Sequence, residues 1–551
     1  MFQIVALVAL LAQAQAPATY SGVTDRGPRA KPALIKLGAA GFSFKDPVFG
    51  SRIWRVTDRF TRTDGAERSF RTPSATHQNA WSADSSYFYV VSNGGETIPF
   101  AFDKTTGKFD RLETLRFYME PQFSFVNDSV IFGSVAGGSL RTIDQYDFGS
   151  GNYTRLLDLD TLAPGLQGTY VGGISSSAGP TEWILAFFGG TSQDRHHYAV
   201  VFDRANPQRR HLLDTVTSTL DGRSSPTTLN FKLHHATIDR SGRFVLLYPT
   251  GVDLAAPRRA EQVYAWDTVA NSITPLPVPT AHSGGHDALG YGIWVNQDCC
   301  TSTSWDAAQW QIRSLASPLV SRDLITPIVT PKEIYLEDHP TWNNARRDRL
   351  VPFITATFRY GANTVEWRAW DDEILAIQTD VGDGGAEVSR LAHHRSDVRN
   401  DDSPQSLSFW YEPRPIVSRD GRWVLFTSNW EKSLGTDPKG EPGERFRQDV
   451  FLLQLTGVDA GGEEPVPDPP LEIVTTVLPD AKLKSPYSIG LQASREATWT
   501  VAAGALPPGL TLSASGQITG TPRSAGAWYS ELKATDPSSS ASRVFLLTVR
   551  K

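Results

Sequence analysis

The sequence predicts an all-β chain: a β-propeller of about seven blades followed by a small β-sandwich. Two observations carry this. One layout recurs along the chain: a polar start, a tight turn of Asp, Ser or Gly, then an aromatic and β-branched run. SADSSYFYVVSN (82–93), IDRSGRFVLLYP (238–249) and VSRDGRWVLFTSN (417–429) show it most clearly. The chain is also rich in turn formers, with 45 Gly and 36 Pro in 551 residues, which suits short strands better than long helices.

Within each unit the turn residues permit a hairpin and the run after them reads as a buried strand. A further strand ending in Asp follows in IPFAFDKTTGKFDRL (98–112), YAVVFDRANPQRRHLLD (198–214) and VYAWDTVANSITPL (263–276), so Asp103, Asp203 and Asp267 open the next turn. Four antiparallel strands repeating at this spacing describe a propeller blade. Strand starts place the units near residues 76–115, 120–158, 169–214, 233–278, 284–325, 337–380 and 391–456. Tandem β-sandwiches do not repeat one four-strand unit so regularly. The segment IWRVTD (53–58) is expected to add an outer strand to the last blade and close the ring. The propeller is assigned to residues 30–457, an acidic Gly/Pro-rich linker to 458–470 and the sandwich to 471–551.

Residues 1–16, MFQIVALVALLAQAQA, pair an apolar run with small residues at Ala12, Ala14 and Ala16. This is the pattern of a secretory signal peptide without a basic start, and it points to a secreted or periplasmic protein. No stretch beyond it is long enough to span a bilayer. The net charge of −6, from 59 acidic and 53 basic residues, gives no electrostatic basis for a nucleic-acid partner. Cys299 and Cys300 are adjacent, so they build no disulfide framework, and whether they bond to each other stays open. A monomer is expected.

Histidine placement is the most informative chemical feature. His77, His234-His235, His286, His339 and His393-His394 each fall at or near the start of a proposed innermost strand, where a propeller converges on one mouth of its channel. Glu120 takes a sixth such position, and Glu412 and Arg414 precede the last inner strand. Imidazole serves as proton acceptor or metal ligand near neutral pH, and a guanidinium pairs with carboxylates. The candidate catalytic residues are therefore His286, His339, His394 and Arg414, and the candidate substrate-binding residues His77, His235, Asp287 and Glu412. His196-His197 and His282 fall outside the pattern and read as surface or loop residues. Trp305, Trp310, Trp367 and Trp370 could stack on sugar rings, although core positions suit them better.

The unit SRDGRWVLFTSN resembles the repeat of TolB-like and WD-repeat-like propellers, and the last blade is distantly similar to that of the oligogalacturonate lyase family. That resemblance implies a carbohydrate-directed protein, with pectin-fragment elimination and a divalent metal at the propeller centre. The family's His-Pro-His-Pro string is matched here by Glu412-Pro413-Arg414-Pro415, which replaces both histidine ligands, so the sequence assigns no metal ligand set. The string ALPPGLTLSASGQITGTPRSAGAWYSELKATD (505–536) resembles the Ig-like, cadherin-like modules that end bacterial exported proteins. Acidic residues suited to calcium are sparse there, with Asp480 and Asp536 far apart.

The resulting expectation is an exported propeller with a polar, His-rich, carbohydrate-directed site at its mouth, lyase-like if it is an enzyme. The alternative is a non-catalytic cell-envelope binding or scaffold protein, or an adhesin built on the Ig-like module. The residues leave open the substrate and whether there is catalysis.

Overall fold

The computed structural model describes residues 15–29, 31–62, 68–75, 78–118, 120–163, 170–189, 196–249, 263–276, 287–298, 309–325, 338–359, 367–381, 385–404, 406–458, 471, 473–493, 497–536 and 540–551. Residues 1–14 of the expected signal peptide (1–16), most of the linker, both cysteines, His77, His282, His286 and Trp305 lie outside them.

Turn chemistry sets the local structure. Asp103, Asp203 and Asp267 each accept a hydrogen bond at Oδ1 from the backbone N–H two residues on, at 2.9, 2.9 and 3.0 Å. These Asx turns end one strand and start the next. In the inner hairpins Ser85, Gly242 and Gly421 take positive φ of 62°, 79° and 68°, which reverses the chain between an inner strand and the buried run after it.

The strands assemble into seven successive antiparallel sheets among the described residues of 43–454, numbered here in ring order. Sheet 1 starts with Phe70–Arg71, sheet 2 with Gln122–Phe123, sheet 3 with Tyr170–Ser176 and sheet 4 with Leu233–Ile238. Sheet 5 starts with Asp287–Leu289 and sheet 6 with Asp338–Thr341. Sheet 7 joins Ile416–Val417, Trp423–Ser428 and Asp449–Gln454 to Arg52–Arg55 and Ser43–Lys45 from near the N-terminus. Ile53 thus faces Leu453 across the strand pair, as expected of the IWRVTD segment.

Apolar side chains join each sheet to the next. Phe132 of sheet 2 shares a core with Ile184 of sheet 3, Val201 of sheet 3 with Val245 of sheet 4, and Leu246 of sheet 4 with Trp294 of sheet 5. Val295 meets the core of Phe353 in sheet 6, and Ile354 that of Phe426 in sheet 7. One cluster then holds Trp423 of sheet 7, Phe88 of sheet 1 and Phe123 of sheet 2. The chain of cores returns to its origin, which makes this a closed ring, and the velcro pairing removes an open sheet edge.

Residues 15–29 also belong to this body. Thr19–Tyr20 pairs with Gly457–Val458, Val23 bridges to Arg390, and the Tyr20 hydroxyl donates to the Gly421 carbonyl at 2.8 Å. The C-terminal module is a two-sheet sandwich. One sheet orders Ala481–Lys482, Ser540–Arg550, Gly526–Thr535 and Thr498–Gly504; the other orders Tyr487–Gly490, Gln517–Gly520 and Leu510–Leu512. Trp499, Ile518, Leu532 and Phe545 form its core.

One predicted boundary changes. The last blade was expected to open near residue 391, with His393-His394 at its inner strand, yet Val388–His393 pairs with Glu373–Ile377 as the fourth strand of sheet 6. The inner strand of sheet 7 begins only at Ile416. No helix among the described residues is long and apolar enough to cross a membrane.

Candidate functional site

Inner strands start at one end of the ring, and a cavity of about 660 Å³ opens there. Sheet 4 brings His234 and His235 to it and sheet 6 brings His339. Sheet 1 contributes Arg71, and Glu120 reaches it just ahead of sheet 2. The turn Phe409–Tyr411 before sheet 7 supplies Phe409 and Trp410. Tyr118 and Tyr170 complete an aromatic wall; Tyr118, Tyr170 and Phe409 are 50%, 36% and 42% exposed. Such faces suit stacking against a sugar ring better than packing in a core.

Sheet 3 shapes the cavity through its glycines. The strand bulges between Val171 and Gly173, and a Cβ on Gly172 or Gly173 would lie 2.2 or 2.5 Å from the Phe187 ring. Only a bare backbone leaves room for that ring. Gln78 also lines the cavity. Its carbonyl accepts from Asn343 Nδ2 at 3.2 Å, and Asn343 Oδ1 accepts from Arg240 Nη2 at 2.6 Å, so side chains from sheets 4 and 6 bridge the channel.

Three polar groupings face or back this cavity. In the first, His339 Nε2 and Glu412 Oε2 stand 2.5 Å apart, with both residues 4% exposed. Arg414 Nη1 lies 3.9 Å behind the same carboxylate oxygen. A buried carboxylate at hydrogen-bond distance fixes the orientation of the ring, the geometry that a positioned proton acceptor needs.

In the second, Arg71 is paired with Glu120 and lies over Trp410, 4.1 Å from the ring centroid. Glu120 Oε2 also accepts from the backbone N–H and hydroxyl of Ser74 at 2.7 and 2.6 Å. Burial works to raise the Glu120 pKa, but the Arg71 charge and the Ser74 hydrogen bonds outweigh it and hold the carboxyl below its ordinary value.

In the third, the Nδ1 atoms of His234 and His235 are 2.9 Å apart, so one donates and the other accepts. Burial lowers the pKa of His234. His235 stacks on Tyr248 with centroids 3.9 Å apart. The Tyr248 hydroxyl donates to Asp287 Oδ2, which also accepts from Trp294 Nε1 at 2.8 Å. Burial raises the Asp287 carboxyl to about 6.

Of the residues proposed from sequence, the structure therefore brings His235 and His339 to the cavity, with Glu412 directly behind His339 and Asp287 behind His235. It does not bring His394 there. That ring follows the fourth strand of sheet 6 and is fully buried, its Nε2 2.7 Å from the Thr357 carbonyl oxygen, and burial lowers its pKa to about 4. Arg414 is also fully buried. Its guanidinium donates to the carbonyls of Phe409 and Trp410 and stacks beneath both rings, so it supports the cavity wall from behind.

His197, read from sequence as a surface or loop residue, is buried and accepts from the Leu233 backbone N–H at 3.1 Å, next to the His234 strand. Trp310 and Trp370 are core residues. Arg71, Trp410, Tyr118 and Tyr170 had not been singled out. The one usable signal was the aromatic pair Trp410-Tyr411 immediately before Glu412.

Among the described residues no group of three or more His, Cys, Asp or Glu stands close enough to hold a metal ion. The His339–Glu412 pair has a guanidinium at its back, and a cation there would meet that positive charge. These donors do not fit a divalent metal, and no chemical step is derived through one.

The ring and its cavity define the chain as a β-propeller, and the two-sheet module after it is an Ig-like sandwich. A family model described as "Putative Ig domain" matches residues 469–550. No curated protein matches the chain. Among solved structures it is similar to an oligogalacturonate lyase in complex with manganese, at 14% identity over 78% of this chain and 98% of that one, with a TM-score of 0.47. It is similar to the β-propeller domain of the Trilobed protease from Pyrococcus furiosus at 8% identity over 73% of this chain and 98% of that one, TM-score 0.38. TolB from Acinetobacter baumannii follows at 12% identity over 51% of this chain and 62% of that one, TM-score 0.29.

Proposed function

We propose that the chain is an exported, seven-bladed β-propeller that binds a carbohydrate at the mouth of its ring. The observation that carries this reading is the cavity wall, where exposed Tyr118, Tyr170 and Phe409 stand beside the buried His339–Glu412 pair. Aromatic faces hold the apolar side of a sugar ring, and the histidines and Glu120 offer hydrogen bonds to its hydroxyls. Export rests on the N-terminal sequence pattern.

If the site performs chemistry, its parts suit β-elimination from an acidic sugar. His339, backed by Glu412, would accept the proton α to the carboxylate, and the oxygen on the β-carbon would leave and take up a proton as the double bond forms. The developing charge then needs a cationic partner. Arg71 is the one arginine lining the cavity among the described residues, and it is already paired with Glu120. That pairing favours a second reading, in which the mouth binds a glycan without turning it over.

Titration calorimetry with neutral and uronic-acid oligosaccharides, together with ultraviolet detection of unsaturated products, separates the readings. Binding with product supports the lyase, and binding without product supports the receptor. No binding by any glycan would refute a carbohydrate site.

A further inference from the structure

The opposite end of the ring carries its own chemistry. The inner strand of sheet 4 runs from His234 at the mouth to Ile238, so the turn that follows lies at the far end. The inner turns of sheets 5, 6 and 7 meet it there. Arg240 N–H donates to the Gly290 carbonyl at 2.9 Å, and Arg419 Nη2 donates to the Tyr291 hydroxyl at 3.0 Å. The segment between Thr341 and Phe353 contains Arg346-Arg347-Asp348-Arg349, which borders a cleft of about 170 Å³ floored by Tyr291 and Trp342.

Charge at this end is not balanced. Asp348 gives both carboxylate oxygens to Arg346, at 2.9 and 2.7 Å. Asp239 spends its oxygens on its own turn and on Gly292 N–H, whereas Asp420 places Oδ1 on the Ser418 hydroxyl and the Arg422 N–H and keeps Oδ2 buried without a hydrogen bond. Arg347 and Arg349 are exposed; no hydrogen bond joins either to a described residue, and Arg349 meets Asp348 only through its charge. Deeper in, Arg240 is 3% exposed; its guanidinium donates to the neutral Ser176 carbonyl and Asn343, lies 4.0 Å from the Phe125 ring centroid and leaves Nε without a hydrogen bond, with Asp239 as the nearby opposite charge. Its buried guanidinium and that of Arg419 repel each other. A site with surplus guanidinium forks and a recess beside them suits a multiply charged oxyanion better than a single carboxylate.

We propose that the turn end of the propeller is a second binding site, formed by Arg347 and Arg349 over the Tyr291–Trp342 cleft, that takes a sulfate or phosphate group. The group is either a free ion or an ester on a glycan. The site is separated from the mouth by the Gln78–Asn343–Arg240 bridge, so it stands or falls independently of the carbohydrate reading.

Thermal melting at constant ionic strength tests it, with sodium sulfate, sodium phosphate or a sulfated oligosaccharide replacing sodium chloride. The expected result is a saturable rise in Tm. The double variant Arg347→Gln/Arg349→Gln should keep the melting point in chloride, because both side chains are exposed, and weaken the anion's apparent Kd by about tenfold or more. A rise with the inorganic ions identifies a free ion as the ligand. A rise confined to the oligosaccharide identifies an ester group. If no anion outperforms chloride, or if the rise survives in the double variant, the proposal is overturned.

Discussion

His339 of sheet 6 and Glu412 ahead of sheet 7 are 73 residues apart in sequence, yet their Nε2 and Oε2 atoms lie 2.5 Å apart in the wall of the mouth. The inner strand of sheet 6 and the turn before sheet 7 converge on one axis, and burial makes the contact consequential. Replacing Glu412 by Gln removes the charge beside the imidazole and leaves Arg414 with only the carboxylates of Glu120 and Glu444 acting on it. Breaking a buried pair from one side costs about 3–5 kcal/mol, and the isosteric amide should recover part of that. We expect a lower urea midpoint for Glu412→Gln. We also expect a larger loss of glycan binding than a surface Glu→Gln change produces, read by calorimetry at a temperature where the variant is folded.

The glycines of sheet 3 give a test of cavity shape that leaves every polar group in place. Gly172→Ala or Gly173→Ala would drive Cβ into the Phe187 ring, which must swing into the cavity or strain the strand. Overpacking of this kind costs about 1–3 kcal/mol. Ligand affinity at the mouth should fall while His339 and Glu412 remain paired. Unchanged affinity in both variants would show that the ligand does not use this side of the cavity.

How far this site could be read from the chain depends on how local each determinant is. Asp-Ser and Asp-Gly turns act over a few residues, so the blade units and the closing strand around Ile53 were legible. His235 and His339 were legible because each sits at the head of an inner strand. Val388–His393 was misplaced because a buried outer strand and an inner strand share the same apolar pattern, and only pairing with Glu373–Ile377 distinguishes them. Arg71 and Trp410 were missed because their stacking exists only once the ring closes between sheets 7 and 1. Arg414 misled because its side chain is drawn back under the Phe409 and Trp410 carbonyls.

Two buried carboxyls near the mouth make stability depend on pH in a defined direction. Burial raises Glu444 from its ordinary 4.5 to about 7, against the pull of the Trp410 N–H and Arg414, and it raises Asp287 from 3.8 to about 6. Each folded value lies above the unfolded one, so folding favours the protonated form. The stabilisation is fully present below the unfolded value and is lost as pH rises through the folded value. Glu444→Gln should therefore gain on the parent protein as pH rises from 4.5 to 7, and Asp287→Asn as it rises from 3.8 to 6. Urea midpoints across that range check the sign; a parent protein that gains on the variant as pH rises would contradict it.

Ring closure can be tested at a single side chain. Trp54 lies in the N-terminal strand Arg52–Arg55, is 3% exposed, and meets Trp423 with ring centroids 5.7 Å apart. Trp423 in turn meets Phe102 of sheet 1 at 4.9 Å, so this cluster joins the two ends of the ring. Trp54→Ala removes a large part of that junction while leaving the backbone pairing of Ile53 with Leu453 in place. Truncating a buried Trp costs about 3–5 kcal/mol. An equally buried residue away from the closure, Trp266 between sheets 3 and 4, provides the control. If closure holds the ring together, Trp54→Ala should open sheet 7 before the rest unfolds, with early hydrogen exchange in Asp449–Gln454, whereas Trp266→Ala should lower stability without that local opening. Equal protection of Asp449–Gln454 in the two variants would mean that the backbone ladder, and not the aromatic junction, keeps the ring shut.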